Sequence, residues 1–194
     1  MNDKHHSKPN WDHLYETAGA QDGYFTTQQA ADSGYSTQLL LKYINNGRIN
    51  RIRRGIYRLV HFPAGEHEEL TVIWLWSEHA GVFSHQTALS LHGLSDVLPG
   101  QVHLTLPAGW RHRRFRVPKG VVLHHADVPP DERAWFGPVP ATSPRWTLND
   151  CAREIVSPEI LSQAAQQALR RGLVVKGDIP DVEKALAPFG GLAT

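Results

Sequence analysis

Glycine and small polar residues cut residues 24–59 into two short segments with helical apolar spacing and one β-branched hairpin, and few folds accept that order. In residues 25–31 a threonine N-cap with a glutamine three residues later, followed by Ala30 and Ala31, predicts a helix that Gly34 ends. Ser36 can cap a second helix. In it Leu40, Tyr43 and Ile44 fall at i, i+3 and i+4, and Asn46-Gly47 supplies the stop. Residues 48–52 and 56–60 then alternate β-branched and charged side chains around Arg53-Arg54-Gly55, which predicts a hairpin with glycine at a turn position needing positive φ.

The apolar stripe of the second helix leaves one face carrying Thr37, Gln38, Leu41, Lys42 and Asn45. Gln or Asn can bond adenine in two places, Thr and Leu can touch a thymine methyl, and Lys can serve guanine or phosphate. The same face also fits an ordinary solvated helix. Charge distinguishes the two: residues 33–65 hold six cations (Lys42, Arg48, Arg51, Arg53, Arg54, Arg58) and no acid, although the whole chain balances 20 Lys and Arg against 19 Asp and Glu. A local cationic surface on a nearly neutral chain suits a polyanion. A helix, turn, helix and arginine-bearing hairpin in that order predict a winged helix-turn-helix, with the hairpin along the duplex backbone or in the minor groove. A soluble edge hairpin guarded by charge is the alternative.

The remaining sequence predicts a second, mixed α and β domain, giving an α+β chain divided into residues 1–62 and 66–194. A polar tail containing His5 and His6 precedes a first helix over residues 11–20. Past the break at residues 62–65, an acidic start opens an apolar helix with Leu70, Ile73, Trp74 and Ser77 on one stripe. Residues 84–94 are expected as a helix, 101–106 and 121–126 as strands, and 144–155, 158–171 and 179–186 as helices. The span 128–143, with prolines at 129, 130, 138 and 140, is expected as loop. No apolar run reaches the roughly 20 residues of a membrane helix. The N-terminal decapeptide has no apolar core and is not a secretory signal. Cys151 is the single cysteine, which excludes an intramolecular disulfide. Together these features favour a cytoplasmic location.

Catalytic chemistry finds no support in the pattern. There is no HExxH, paired CxxC, P-loop or GxGxxG, and no cofactor or metal-ligand set is expected. His85 and His92 lie seven apart, and His124 and His125 are adjacent on an expected strand and so face opposite sides. Cys151 reads as a buried small hydrophobe on a helix. Pro180-Asp181 with Glu183-Lys184 is too compressed for a metal-dependent nuclease. A second cationic cluster, Arg111, Arg113, Arg114, Arg116 and Lys119, sits between the two expected strands. It suits an anion, RNA or a partner's acids, and the sequence leaves these open.

Several of these stretches resemble the AbiEi-type antitoxins, transcription-regulator-like members of type IV abortive-infection toxin-antitoxin systems. Residues 36–58, with the Asn46-Gly47-Arg48-Ile49 junction and the Arg53-Arg54-Gly55-Ile56-Tyr57-Arg58 hairpin, are similar to the family's winged helix-turn-helix. Residues 84–94, 102–107 and 142–148 resemble the domain that follows it. The resemblance spans roughly residues 11–186, as far as motifs define it. It implies a DNA-binding antitoxin that represses its own operon and opposes a nucleotidyltransferase-like toxin, an antagonism that in type IV systems need not involve a stable complex. Some relatives continue into a Vsr-like endonuclease domain, and none is expected within these residues. Ser36, Thr37, Gln38, Lys42 and Asn45 are then expected to read or position double-stranded DNA, with inverted repeats as the target. Arg48, Arg51, Arg53, Arg54 and Arg58 are expected to hold phosphate or minor groove. A competing expectation is a protein-interaction module with a dispensable helix-turn-helix, whose cationic segment 111–119 grips an acidic toxin.

Overall fold

A computed structural model describes residues 8–94, 96, 99–114, 116–154 and 156–192, and the chain falls into two units, Met1–His79 and Ala80–Thr194. His5 and His6, named above, lie outside the described residues, as does position 155 at the end of the helix expected over 144–155.

The first unit is built as the punctuation requires. Helix α1 (Trp11–Gly19) starts where Asn10 Oδ1 accepts from His13 N at 3.1 Å. Strand β1 (Tyr24–Thr26) leads into α2 (Thr27–Asp32), whose capping box is complete: Thr26 Oγ1 accepts from Gln29 N and Gln29 Oε1 accepts from Thr26 N. Ser36 caps α3 (Thr37–Asn45) by accepting from Leu39 N at 3.2 Å. Strands β2 (Ile49–Arg53) and β3 (Ile56–Leu59) form the hairpin, and β3 sits centrally in an antiparallel sheet of order β1-β3-β2.

Strand parity decides what each face of that sheet does. Tyr57 and Leu59 on β3 point into a core with Leu14, Ala18, Phe25, Ala30, Leu40 and Ile49. Ile56 points the other way, and with Tyr24 it meets Val72 and Leu75 of α4 (Glu68–Trp76). Helix α4, read from sequence as the start of the second domain, therefore belongs to the first unit, because its apolar side covers the back of this sheet. Thr71 Oγ1 adds a 2.9 Å bond to Asp22 Oδ2.

The second unit is a mixed sheet of order β6-β5-β4-β8-β7 with a helical layer. The expected strands appear as β5 (Val102–Leu106) and β6 (Val121–His125), which pair in parallel. Strand β4 (Val82–Phe83) is antiparallel to β5 and parallel to β8. The proline-rich span read as loop contains a hairpin of β7 (Arg133–Phe136) and β8 (Val139–Thr142), turning at Gly137. Pro140 is tolerated inside the sheet because the ladder from β4 reaches only Ala141. Helices α5 (His85–Leu91), α6 (Pro144–Arg153), α7 (Pro158–Arg170) and α8 (Pro180–Leu186) share one core through Leu89, Leu148, Cys151, Ala164, Ala168 and Val182.

Candidate nucleic-acid interface

Helix α3 is held by one side and open on the other. Leu40 is 1% exposed and buried in the core, and Tyr43 stacks on Trp11 with ring centroids 5.7 Å apart. The opposite face presents Thr37, Gln38, Leu41, Lys42 and Asn45, all exposed, with Ser36 exposed at the cap. Leu41 is 53% exposed, a large apolar side chain on a helix surface otherwise polar. The structure thus brings onto one surface the helix residues singled out from sequence.

The hairpin that follows turns at Arg54-Gly55, with Arg53 opposite Ile56 and a register irregularity between Arg51 and Arg53. Gly55 has φ +80°, which a side chain disfavours. Its carbonyl accepts from Thr27 N at 2.9 Å and faces Thr27 Oγ1 at 3.4 Å, tying the hairpin tip to the start of α2. Arg48, Arg51, Arg53 and Arg54 are exposed, and no acid among the described residues pairs with them. Arg48 lies 5.6 Å from the centroid of the Tyr43 ring.

Arg58 departs from the expectation. Its position on β3 puts it on the α4 face beside Ile56, where Nη2 donates to Glu68 Oε1 at 2.6 Å and to the carbonyls of Phe62 and Pro63 at 3.1 and 3.2 Å. The guanidinium also sits 5.4 Å from the Tyr24 ring centroid. A cation so engaged holds the fold together, and its charge is already neutralised.

The second cationic cluster occupies the connection from β5 to β6, with Arg111, Arg113, Arg114, Arg116 and Lys119 all exposed. Arg113 stacks 4.3 Å from the Trp110 ring centroid. These residues share a segment distinct in sequence from the helix and hairpin of the first unit.

The histidines behave differently from their spacing. His92 Nε2 donates to Thr142 O at 2.7 Å, and burial lowers its pKa from the ordinary value. His85, His103 and His124 converge from α5, β5 and β6, with a ligand nitrogen from each lying within 4.8 Å of the others. His124 Nδ1 meets Glu154 Oε1 at 2.9 Å, and His85 Nε2 approaches the same oxygen at 3.5 Å. Burial, then His124 and His103, push His85 down to about 3, so at neutral pH this imidazole is uncharged and its contact with Glu154 is no ion pair. No spacing rule finds this cluster, because its members are joined by the β5–β6 register rather than by the chain.

Two other sequence features carry no reactive geometry. Cys151 is fully buried, and burial, with Asp150 and Glu154, raises its pKa, which keeps the thiol protonated. Asp181 pairs with Arg153 at 2.7 Å at the start of α8.

Comparison with known proteins follows the same division. Residues 14–60 match a family described as transcriptional regulator, AbiEi antitoxin, and residues 79–185 match the AbiEi antitoxin C-terminal domain. No curated protein matches the chain. Among solved structures, the RV2827C protein from Mycobacterium tuberculosis aligns at 13% identity and a TM-score of 0.42, covering 93% of this chain and 77% of that one. The first of these families is described as a transcriptional regulator and both as AbiEi antitoxin, and no described helix is long and apolar enough to cross a membrane. With the second match spanning more than half of its length and the first covering the helix-turn-helix and hairpin, this chain belongs to the AbiEi antitoxin family.

Proposed function

We propose that this antitoxin binds double-stranded DNA at its own promoter through α3 and the hairpin, represses its operon, and counteracts a nucleotidyltransferase-like toxin. One observation carries the DNA reading: an exposed polar helix face lies in the same unit as four exposed hairpin and junction arginines that no described acid neutralises. Gln38 and Asn45 read base edges, with Leu41 against a thymine methyl. Ser36 and Thr37 position the helix. Lys42, Arg48, Arg51, Arg53 and Arg54 hold phosphate or enter the minor groove, with inverted repeats as the target. Arg58 takes no part.

The second unit supplies antagonism of the toxin, and its exposed cations at 111, 113, 114, 116 and 119 suit an acidic surface. The protein performs these roles by binding rather than by turnover, in the cytoplasm.

Fluorescence anisotropy on DNA from upstream of the gene, against a scrambled duplex and across a salt series, tests the DNA reading. With four or five phosphate contacts, log affinity falls against log salt with a slope of about −4. The Arg53→Ala, Arg54→Ala variant makes that slope shallower by roughly 2. Equal binding to both duplexes, or a flat salt dependence, refutes it.

A further inference from the structure

The proposed DNA interface uses none of the histidines clustered in the second unit, and their chemistry points elsewhere. Residues alternate sides along a strand, so His103 and Thr105 share one face of β5. His124 lies directly opposite Thr105 on the neighbouring parallel strand, which brings it to the same face. His103 Nδ1 is 3.0 Å from His124 Nε2. His85 reaches them from the first position of α5, its ring stacked on His124 with centroids 3.8 Å apart. The Glu154 carboxylate, at the C-terminal cap of α6, holds His124 from its other nitrogen, Nδ1, on a 46% exposed side chain.

Three features set this cluster apart from histidines that merely fill space. The first is the donor spacing. A tetrahedral ion with bonds of roughly 2.0–2.1 Å needs donors about 3.3 Å apart. His103 Nδ1 and His124 Nε2 stand 3.0 Å apart and one nitrogen from each of the three rings lies within 4.8 Å of the others, while His124 keeps its second nitrogen, Nδ1, 2.9 Å from the Glu154 carboxylate. The second is a supporting shell. His85 Nδ1 lies 2.9 Å from Ser84 Oγ, itself fully buried and accepting from Thr105 Oγ1 at 2.8 Å. With Nδ1–H donating to Ser84, the lone pair of His85 sits on Nε2, the nitrogen that faces Glu154, and this is the arrangement metal-bound histidines use. The third is backbone strain. His85 has φ +51°, a left-handed conformation that residues other than glycine rarely hold unless their surroundings impose it.

We propose that His85, His103 and His124 form a site for a divalent transition-metal ion, with zinc as its natural occupant and the Glu154 carboxylate orienting His124 through Nδ1. Three imidazoles with a fourth position left to water suit zinc, whereas calcium and magnesium demand oxygen donors. Loading exchanges the His103 to His124 contact and the ring stacking for bonds to one ion. Such an ion cross-links α5, β5 and β6, and fixes the two strands whose connection carries the cationic segment 111–119.

The test uses the full chain, stripped with a chelator and titrated with Co²⁺ while visible d–d absorption is followed. A His5→Ala, His6→Ala background removes the imidazoles of the N-terminal tail. The expected result is one Co²⁺ per chain, displaced by one Zn²⁺, with binding abolished by His103→Ala or His124→Ala. Ser84→Ala, which removes the hydroxyl orienting His85 together with its bond from Thr105, weakens affinity by about 10–100-fold. Glu154→Gln supplies a variant at an exposed helix cap that keeps the fold, verified by circular dichroism, and it too lowers affinity. Absence of stoichiometric binding, or binding undiminished in folded His103→Ala, His124→Ala and Glu154→Gln proteins, overturns the assignment.

Discussion

Replacing Arg58 by methionine separates structural arginines from those that face solvent. The side chain is 18% exposed and its partner Glu68 31% exposed, so the pair is shielded enough to contribute yet wet enough to fall short of a fully buried ion pair. A charge-assisted hydrogen bond is worth about 1.5–3 kcal/mol, and the contact with the Tyr24 ring adds about 0.5–1 kcal/mol. The two carbonyl contacts share Nη2 with the carboxylate and are not counted separately. Methionine keeps most of the stem packing, so the expected loss is about 2–3 kcal/mol. For a domain of this size melting as its own transition, that lowers the midpoint by roughly 10–20 °C.

The DNA readout runs the opposite way. Arg58→Met, assayed below its melting transition, leaves the slope of log affinity against log salt unchanged. Arg53→Ala, Arg54→Ala leaves stability within about 0.5 kcal/mol and makes the slope shallower by about 2. Differential scanning calorimetry and a salt series on the same preparations decide the matter. An Arg58→Met protein that melts like wild type and binds DNA with a slope shallower by about 1 would refute the partition.

Three further outcomes follow from named geometry. Gly55→Ala, forced to φ +80° beside Thr27, is expected to destabilise the first unit by about 1–2 kcal/mol and to weaken DNA binding, read by thermal melting and anisotropy. Gln38→Ala, at an exposed position, should leave melting unchanged while costing about 1–3 kcal/mol of discrimination between operator and a single-base variant, measured by competition binding. Burial lowers the pKa of His92, so the folded state holds it neutral while the unfolded chain takes up a proton below the ordinary histidine value. Its contribution is present above pH ~6.5 and is lost as pH falls, by up to about 1.4 kcal/mol per unit; urea unfolding at several pH values should show a shallower acid loss in His92→Gln, and an identical slope would count against it.

The first unit was legible because its signals are local. A cap, a glutamine three residues on, a glycine stop and β-branched alternation each act within one turn or one strand, and the capping box at Thr26 and Gln29 formed as read. Helix α4 was assigned to the wrong side of the division because its amphipathicity says that it is buried and not against what. Strands β1 and β4, three and two residues long, are too short for a period to register. The β7–β8 hairpin was hidden by its prolines. For Arg58 the signal is present in the sequence: on β3 it shares parity with Ile56, and Glu68 lies just past the acid-free stretch 33–65. The histidine cluster had no such signal, since the pairing of β5 with β6 in parallel joins residues 21 apart.

Strand parity also limits the electrostatics of the interface. Counting all six cations between residues 33 and 65 as phosphate contacts gives a limiting salt slope of about −5.4, at −0.9 for each phosphate. Removing Arg58 leaves five, and the limit becomes about −4.5. The difference has a structural cause. Strand β3 is central, flanked by β1 and β2, and covered on one face by the core and on the other by α4, so no cation there reaches solvent unpaired. Strand β2 is an edge, and its arginines are free to face a polyanion. The edge is nevertheless fixed in place: its turn is held by Thr27 through Gly55, and its neighbour by Arg58 through Glu68. DNA binding by this hairpin therefore orders side chains, at about 0.5–1.5 kcal/mol each, without also having to order a backbone. Loosening either tether should slow no charge-driven encounter, and its cost should appear in the rate at which the complex comes apart.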